Sequence, residues 1–248
     1  MITVSLTTIA GNELILSRAI QSIYSQTLPP DEIFVYYSAN SYIVDKGFAD
    51  SPPSVPPPPD HINLFIQEVP NTGPYRKLIP LLWEKKDNAN TIIVTVDDDT
   101  VYHPDLLQTM YSEYLKRKCA IASRAFTLCS GTEVENVDYH FSRERVTLAT
   151  AVRNFHTGKG GVLYTPEMLG EHVFDKSYGK LCPTNDDMWF NVVRMVNNVA
   201  CYVLPRLMFT DDLSEVNTAL YHNFNKDSNT RYLQDTMKYF NMTAVPSC

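Results

Sequence analysis

The sequence predicts an α/β domain with a mostly parallel, doubly wound sheet flanked by helices. Three observations carry that expectation. Short runs rich in Val, Ile, Leu and aromatic residues recur between residues 2 and 209, and segments with apolar residues at helical spacing alternate with them. A chain of 248 residues with 44% hydrophobic content also has ample apolar surface for a buried core.

The elements follow in order. "ITVSLTTI", residues 2 to 9, reads as a first strand. In "NELILSRAIQSIYSQ" the residues Leu16, Ala19, Ile20 and Ile23 fall on one helical stripe. "EIFVYYS" (32 to 38) and "INLFIQEV" (62 to 69) give two more strands. Between them "SPPSVPPPPDH", residues 51 to 61, carries six prolines, which lack amide hydrogens and favour a stiff extended surface loop; a docking site for a proline-reading partner is the alternative. "KLIPLLWEKK" reads as a short helix, and "TIIVTV" (91 to 96) as a fourth strand that ends on Asp97, Asp98 and Asp99. Pro104 suits the first turn of a helix reaching about Lys118, with Leu107, Met110, Tyr111 and Tyr114 inward. "CAIASRAFTL" and "GKGGVLYTP" are strand-like. "TNDDMWFNVVRMVNNVA" is the clearest helix, striped by Trp189, Val192, Val193, Val196 and Val199 or Ala200, and "CYVLPRLMF" gives a last strand. The polar, aromatic tail beyond residue 212 carries no clear period.

Composition narrows the function. No stretch approaches the roughly 18 to 20 apolar residues of a membrane span, and "MITVSLTTIAGNE" lacks the basic region and cleavage site of a signal peptide, so the expectation is a soluble, cytoplasmic protein. The abrupt "VPSC" end leaves open a module of a longer chain. Five scattered cysteines without CxxC spacing fit reduced thiols better than a disulfide framework or zinc knuckle. A net charge of −7, with "KRK" at 116 to 118 fitting a solvated helix end, points away from nucleic acid.

The chemistry-bearing residues lie at element ends. Ligands of a parallel sheet bind beyond the carboxyl ends of its strands, which is where Asp97 to Asp99 should stand. Three clustered carboxylates repel unless a cation offsets them, and magnesium or manganese takes one or two carboxylates plus phosphate oxygens; an acidic loop capping the next helix is the alternative. Asp186 and Asp187 open the clearest helix. "TNDD" has the shape of a capping box with Thr184 as cap, and a general base fixed at a cleft rim has the same needs; both readings stand. Gly160 and Gly161 either let backbone approach a ligand or make a plain tight turn. Arg76 and Lys77, cations at a helix amino end, either face an anion such as diphosphate or form a solvated pair.

Taken together, "VSLTTI", "IQSIYSQTLPPDEIFV", "GPYRKLIP", the DxD-type "VDDDTVYHPDLL", "GKGGVLYTP" and "TNDDMWFNVV" resemble, in order over about residues 1 to 212, the nucleotide-sugar-dependent glycosyltransferases of the GT-A fold, particularly compact family 2-like domains. The resemblance implies a Rossmann-like GT-A domain over 1–212, with a nucleotide-binding half to about residue 100 and an acceptor half from about 101, and a tail, 213–248, packed on it. It implies that Thr7, Thr8, Ile9, Tyr37 and Ser38 hold the nucleoside, and that Arg76 and Lys77 approach the base or diphosphate. Asp97 would meet the nucleoside, Asp98 ribose or sugar, and Asp99 a Mn2+ or Mg2+ ion, with His222 as a candidate second metal ligand. Gly160 and Gly161 would lie under donor sugar and acceptor. Asp187, or else Asp186, would deprotonate the acceptor hydroxyl in an inverting transfer from a nucleoside-diphosphate sugar, UDP-linked by preference, to a glycan or glycoconjugate.

The sequence departs from the family in lacking the QxxRW signature of processive synthases, which favours transfer of a single sugar, and in its proline loop and tail. Two rivals remain. "DDDTV" also satisfies the DxDx[TV] motif of haloacid-dehalogenase-like phosphatases, with Asp97 as nucleophile, although three strand candidates precede it where that motif normally ends the first core strand. A non-catalytic sugar-binding module is the other.

Overall fold

The computed structural model describes residues 1–88, 91–140, 149–214 and 219–246, and the backbone of 143–144. In chain order the elements are β1 (Ile2–Thr7), α1 (Glu13–Tyr24), β2 (Glu32–Tyr37), β3 (Asn63–Glu68), α2 (Ile79–Lys85), β4 (Ile92–Thr95), β5 (Thr100–Tyr102), α3 (Leu106–Arg117), β6 (Ala120–Ala122), β7 (Ala125–Leu128), β8 (Arg143–Glu144), β9 (Thr150–Ala151), β10 (Asn154–His156), β11 (Val162–Tyr164), α4 (Pro166–Leu169), α5 (Tyr178–Leu181), α6 (Asp186–Val196), β12 (Cys201–Val203), β13 (Phe209–Asp212) and α7 (Asn229–Tyr239).

Eight strands form the central sheet in the order β3-β2-β1-β4-β11-β6-β12-β9. The first four are parallel, as the strand-helix rhythm predicts; β11 runs antiparallel between β4 and β6, and β12 is again parallel to β6. Parallel strands bury both faces, and their sequences show it. In β2, Ile33 and Val35 face one layer while Phe34 and Tyr36 face the other; in β4, Ile92 and Val94 oppose Ile93. One layer joins them to Leu16, Ile20 and Ile23 of α1 and to Leu106, Leu107 and Met110 of α3. The other joins them to Leu81 and Leu82 of α2 and to Trp189, Val192 and Val193 of α6.

Three local expectations change. "CAIASRAFTL" is not one strand: it breaks at Ser123 and Arg124, so β6 enters the main sheet while β7 leaves it to join β10 and β8. The helix expected from Pro104 begins at Leu106 with Asp105 as its N-cap. The tail contains a π-helical turn, Tyr221–Asn225, and α7, whose Tyr232, Leu233 and Met237 are buried in the α6 layer. The proline segment is tied to α1 by the Tyr24 hydroxyl, which donates to Pro56 O at 2.8 Å. Cys119, Cys182 and Cys201 are free thiols, and Cys248 lies outside the described residues. Among the described residues no helix is long and apolar enough to cross a membrane.

Candidate active site

A cavity of about 670 Å3 opens at the carboxyl ends of the parallel strands. On one wall β4 runs into the three aspartates, and the turn they occupy is pinned from both sides: Asp97 N donates to the Tyr102 hydroxyl (2.7 Å), and Leu213 N donates to Asp99 O (2.7 Å). Beyond the turn, Thr100 to Tyr102 is strand β5, paired with β13, so the triplet does not cap α3.

The three carboxylates have different neighbours. Asp97 Oδ1 accepts from Lys77 Nζ at 3.0 Å. Asp98 Oδ2 accepts from the Thr8 hydroxyl (2.6 Å) and from Asn12 Nδ2 (3.1 Å). Asp99 Oδ1 accepts from the hydroxyl of adjacent Thr100 at 3.2 Å. Burial pushes Asp98 up to about 6, against the pull of those two donors. Burial, then the charges of Asp97 and Asp98, push Asp99 up to about 7.

The facing wall is the start of α6. The cap is Asn185, whose Oδ1 accepts from Met188 N at 3.1 Å. Thr184, expected as the cap, instead donates its hydroxyl to Asn225 Oδ1 of the tail at 2.5 Å. Asp186 Oδ2 lies 2.9 Å from Lys77 Nζ. Asp187 Oδ1 accepts from Gly158 N at 2.8 Å. Burial, reinforced by Asp186 and opposed by Lys77, pushes Asp187 up to about 7. Beneath it, Asn191 Nδ2 donates to Asp187 O and His156 O, both at 2.8 Å, and the Tyr164 hydroxyl meets His156 Nε2 at 2.9 Å. Burial, then the Arg194 and Lys77 charges, drive His156 well below the ordinary histidine range, so it serves as a neutral support.

Arg76 and Lys77 are not a solvated pair; they are 1% and 7% exposed and bound to carboxylates. Arg76 Nη2 is 2.9 Å from Asp45 Oδ2, and its Nη1 donates to the Ser38 hydroxyl at 2.8 Å. Asp45 Oδ1 accepts in addition from Gly47 N (2.9 Å) and Ala10 N (3.2 Å). Burial alone would lower the Lys77 ammonium, but Asp186, Asp97 and Asp187 outweigh it and hold it well above the ordinary lysine range.

Of the residues singled out in the sequence, Thr7, Ile9, Arg76, Lys77, Asp97, Asp98, Asp99, Asp186, Asp187 and His222 line this cavity. Thr8 and Ser38 stand one layer behind, holding Asp98 and Arg76. Tyr37 packs edge-on against Phe48, away from the cavity lining. Gly160 and Gly161 lie outside the lining too. They turn the chain into β11 at φ of +97° and +90°, and a Cβ on Gly160 would strike the Ser123 hydroxyl. Asp99 and His222 share the cavity, and among the described residues no three His, Cys, Asp or Glu side chains are gathered as a ready-made metal site.

Several residues of the site escape a reading of the sequence. Gly158 is one, and its place as the first glycine of "GKGG" was its only signal. Asn12 and Asp45 carry no local signal, because their partners are distant in the chain. Lys159 and Asp212 form an ion pair at the cavity edge. Farther from the aspartates the lining becomes aromatic and amidic, with Phe126, Tyr139, Tyr221 and Asn225.

No family model matches the chain, and no curated protein does. Similar solved structures exist. S. aureus TarS residues 1–349 in complex with UDP superposes with a TM-score of 0.52 at 13% identity, over 87% of this chain and 61% of that one. The same TarS fragment in complex with UDP-GlcNAc gives 0.49 at 12% identity over 88% and 61%, and a longer S. aureus TarS structure gives 0.49 at 13% over 86% and 37%. The chain thus spans 61% or less of the TarS chains it matches. The first of these likenesses bears out the GT-A-type, mostly parallel α/β arrangement expected from the sequence, and it concerns the fold.

Proposed function

We propose that the protein is a glycosyltransferase that moves one sugar from a nucleoside-diphosphate sugar, UDP-linked by preference, to a hydroxyl of a glycan acceptor with inversion. The observation that carries this reading is the meeting of two acidic clusters in one cavity: Asp97 to Asp99 at the end of β4, and Asp187, the more exposed member of its pair, at the start of α6. The TarS fragment of the same fold was solved with UDP, which supports a uridine diphosphate donor.

In this reading Thr7, Ile9 and the buried Arg76–Asp45 pair shape the nucleoside end. Asp187 takes the proton of the acceptor hydroxyl, whose oxygen bonds to the anomeric carbon as the bond from that carbon to the diphosphate oxygen breaks. Asp187 suits the base role better than Asp186. Its side chain is less buried than that of Asp186 and has a pKa of about 7, near the pH at which a general base is most effective, whereas Asp186 is paired with Lys77.

A divalent metal fits the donor side, because Asp99 stands beside two other carboxylates and, among the described residues, accepts only from the Thr100 hydroxyl, with the Lys159 charge as a further cation acting on it. Asp99, with His222 as a second candidate, would hold Mn2+ or Mg2+. When bound, the ion would neutralise charge on the departing diphosphate.

The test is nucleotide release from a panel of UDP-, GDP- and dTDP-sugars, with Mn2+, with Mg2+ and with chelator. Expected is slow UDP release from one UDP-sugar, dependent on metal and lost in Asp187→Asn. Absence of turnover with every nucleotide sugar, together with phosphate release from simple phosphoesters that depends on Asp97, would overturn the proposal in favour of a phosphatase.

A further inference from the structure

Lys77 sits at the seam between the two acidic walls. Its Nζ is 3.0 Å from Asp97 Oδ1 at the end of β4 and 2.9 Å from Asp186 Oδ2 in the first turn of α6, and its side chain is 8% exposed. The chain closes over it at Gly158. A Cβ there would stand 2.5 Å from Nζ and 3.1 Å from Asp187 Oδ1. The amide of the same glycine donates to Asp187. Among the described residues Asp186 Oδ2 accepts no hydrogen bond, so this ion pair with Lys77 is what offsets its burial.

The ammonium donates to Asp97 and forms an ion pair with Asp186, so one cation joins the two acidic clusters. We infer that Lys77 is not a ligand of the nucleotide but a positioning residue. It ties Asp97 to Asp186 and so fixes Asp187 and the Gly158 backbone at a set distance from the donor-side aspartates. The inference rests on the proposed glycosyl transfer for its catalytic consequence, and on geometry alone for the tie. Gly158 takes its place in the same device, since any side chain there would press on the ammonium.

Two measurements test it. Lys77→Met should lower kcat for hydrolysis of the UDP-sugar that the wild type accepts by on the order of tenfold to a hundredfold, the scale of a small misplacement of reacting groups. The Kd for UDP should stay within about twofold, as expected when no contact to the ligand is lost. Gly158→Ala should lower kcat in the wild-type background and much less in Lys77→Met. Weakening of UDP binding by the same factor as the loss in kcat/KM would make Lys77 a donor ligand and overturn the inference, as would unchanged kcat. The second measurement needs no activity. The Lys77→Met/Asp186→Asn protein should melt above Lys77→Met, because the single substitution strands a buried carboxylate. Additive losses in melting temperature would show that no tie exists. If the wild type hydrolyses no nucleotide sugar, the proposed function fails, and this melting comparison still decides the tie.

Discussion

The two acidic clusters that line the cavity are built from the same residue type and differ in what surrounds each carboxylate. In the strand-end triplet Asp97 is taken by Lys77 and Asp98 by Thr8 and Asn12, leaving Asp99 beside one hydroxyl. In the helix-start pair Asp186 is taken by Lys77, leaving Asp187 on a single backbone amide. Both clusters therefore commit all but one member to holding the structure and leave one carboxyl with a pKa of about 7. The causes diverge. Asp187 is raised by burial and Asp186 although a helix amino terminus favours its charge, whereas Asp99 has no helix to favour it and is raised by burial and two flanking aspartates. A cluster's role is set by donors, not by its count of carboxylates.

The largest effect should come from the base. Asp187→Asn keeps an oxygen for the Gly158 amide and removes the proton acceptor, so sugar transfer and donor hydrolysis should fall about a thousandfold, with a melting temperature no lower than that of the wild type, because a carboxyl that is costly to ionise when folded is removed. Normal turnover in Asp187→Asn, with loss in Asp186→Asn, would reverse the contrast within the pair. Next in size, Asp99→Ala should reduce turnover about a hundredfold, the scale of losing a few kcal/mol of charge stabilisation. It should also abolish any Mn2+-dependent thermal shift by the donor. Asp98→Asn should affect melting more than metal response, because Asp98 is tied to β1 and α1.

The pH profile of turnover sharpens the comparison further. A base works deprotonated, so with saturating metal keeping Asp99 ionised the rate should be flat above about 7 and fall tenfold per unit below it, following Asp187. An acidic limb near pH 4 would show that Asp187 is not the titrating group.

What the sequence made legible follows from what is local. Strands β1 to β4, β11 and β12 and helices α1, α3 and α6 announce themselves because burial on a sheet or on one helical face imposes a period on neighbouring residues, and the aspartates stand at a strand end, as expected, because they follow β4 after one residue. What stayed hidden depends on partners far along the chain. Asp45 reaches Arg76, Asn12 reaches Asp98, and Thr184 turns to Asn225, contacts that no spacing rule encodes. The tail resisted for a related reason: the inward residues Tyr232, Leu233 and Met237 of α7 make a narrow stripe in a polar segment, and they acquire meaning only against α6.

The cap on α6 offers a smaller test. Asn185 is the observed cap, so Asn185→Ala should destabilise by about 1 to 2 kcal/mol, read as a lower urea midpoint. Asn185 also donates to Asn229 Oδ1 at 2.7 Å, so Asn185→Asp, which keeps the cap but loses that donor, separates the two contributions. A loss confined to Thr184→Ala would restore the capping box.

The smallest expected effect is a gain. Because the folded-state pKa of Asp99, about 7, lies above the roughly 3.9 of an unfolded aspartate, the folded chain binds a proton there that the unfolded chain has already released. Stability contributed by this group is present in full below about pH 4 and is lost as pH rises through about 7. Asp99→Asn removes the titrating carboxyl, so it should stabilise the protein by about 1 kcal/mol at pH 8, discounted for solvent screening, and by nothing near pH 4. Mn2+ should bring the same relief to the wild type at pH 8 and none to Asp99→Asn. If the substitution and the cation stabilised additively, the ion would be held elsewhere, and the free member of the triplet would lose its part in the comparison with Asp187.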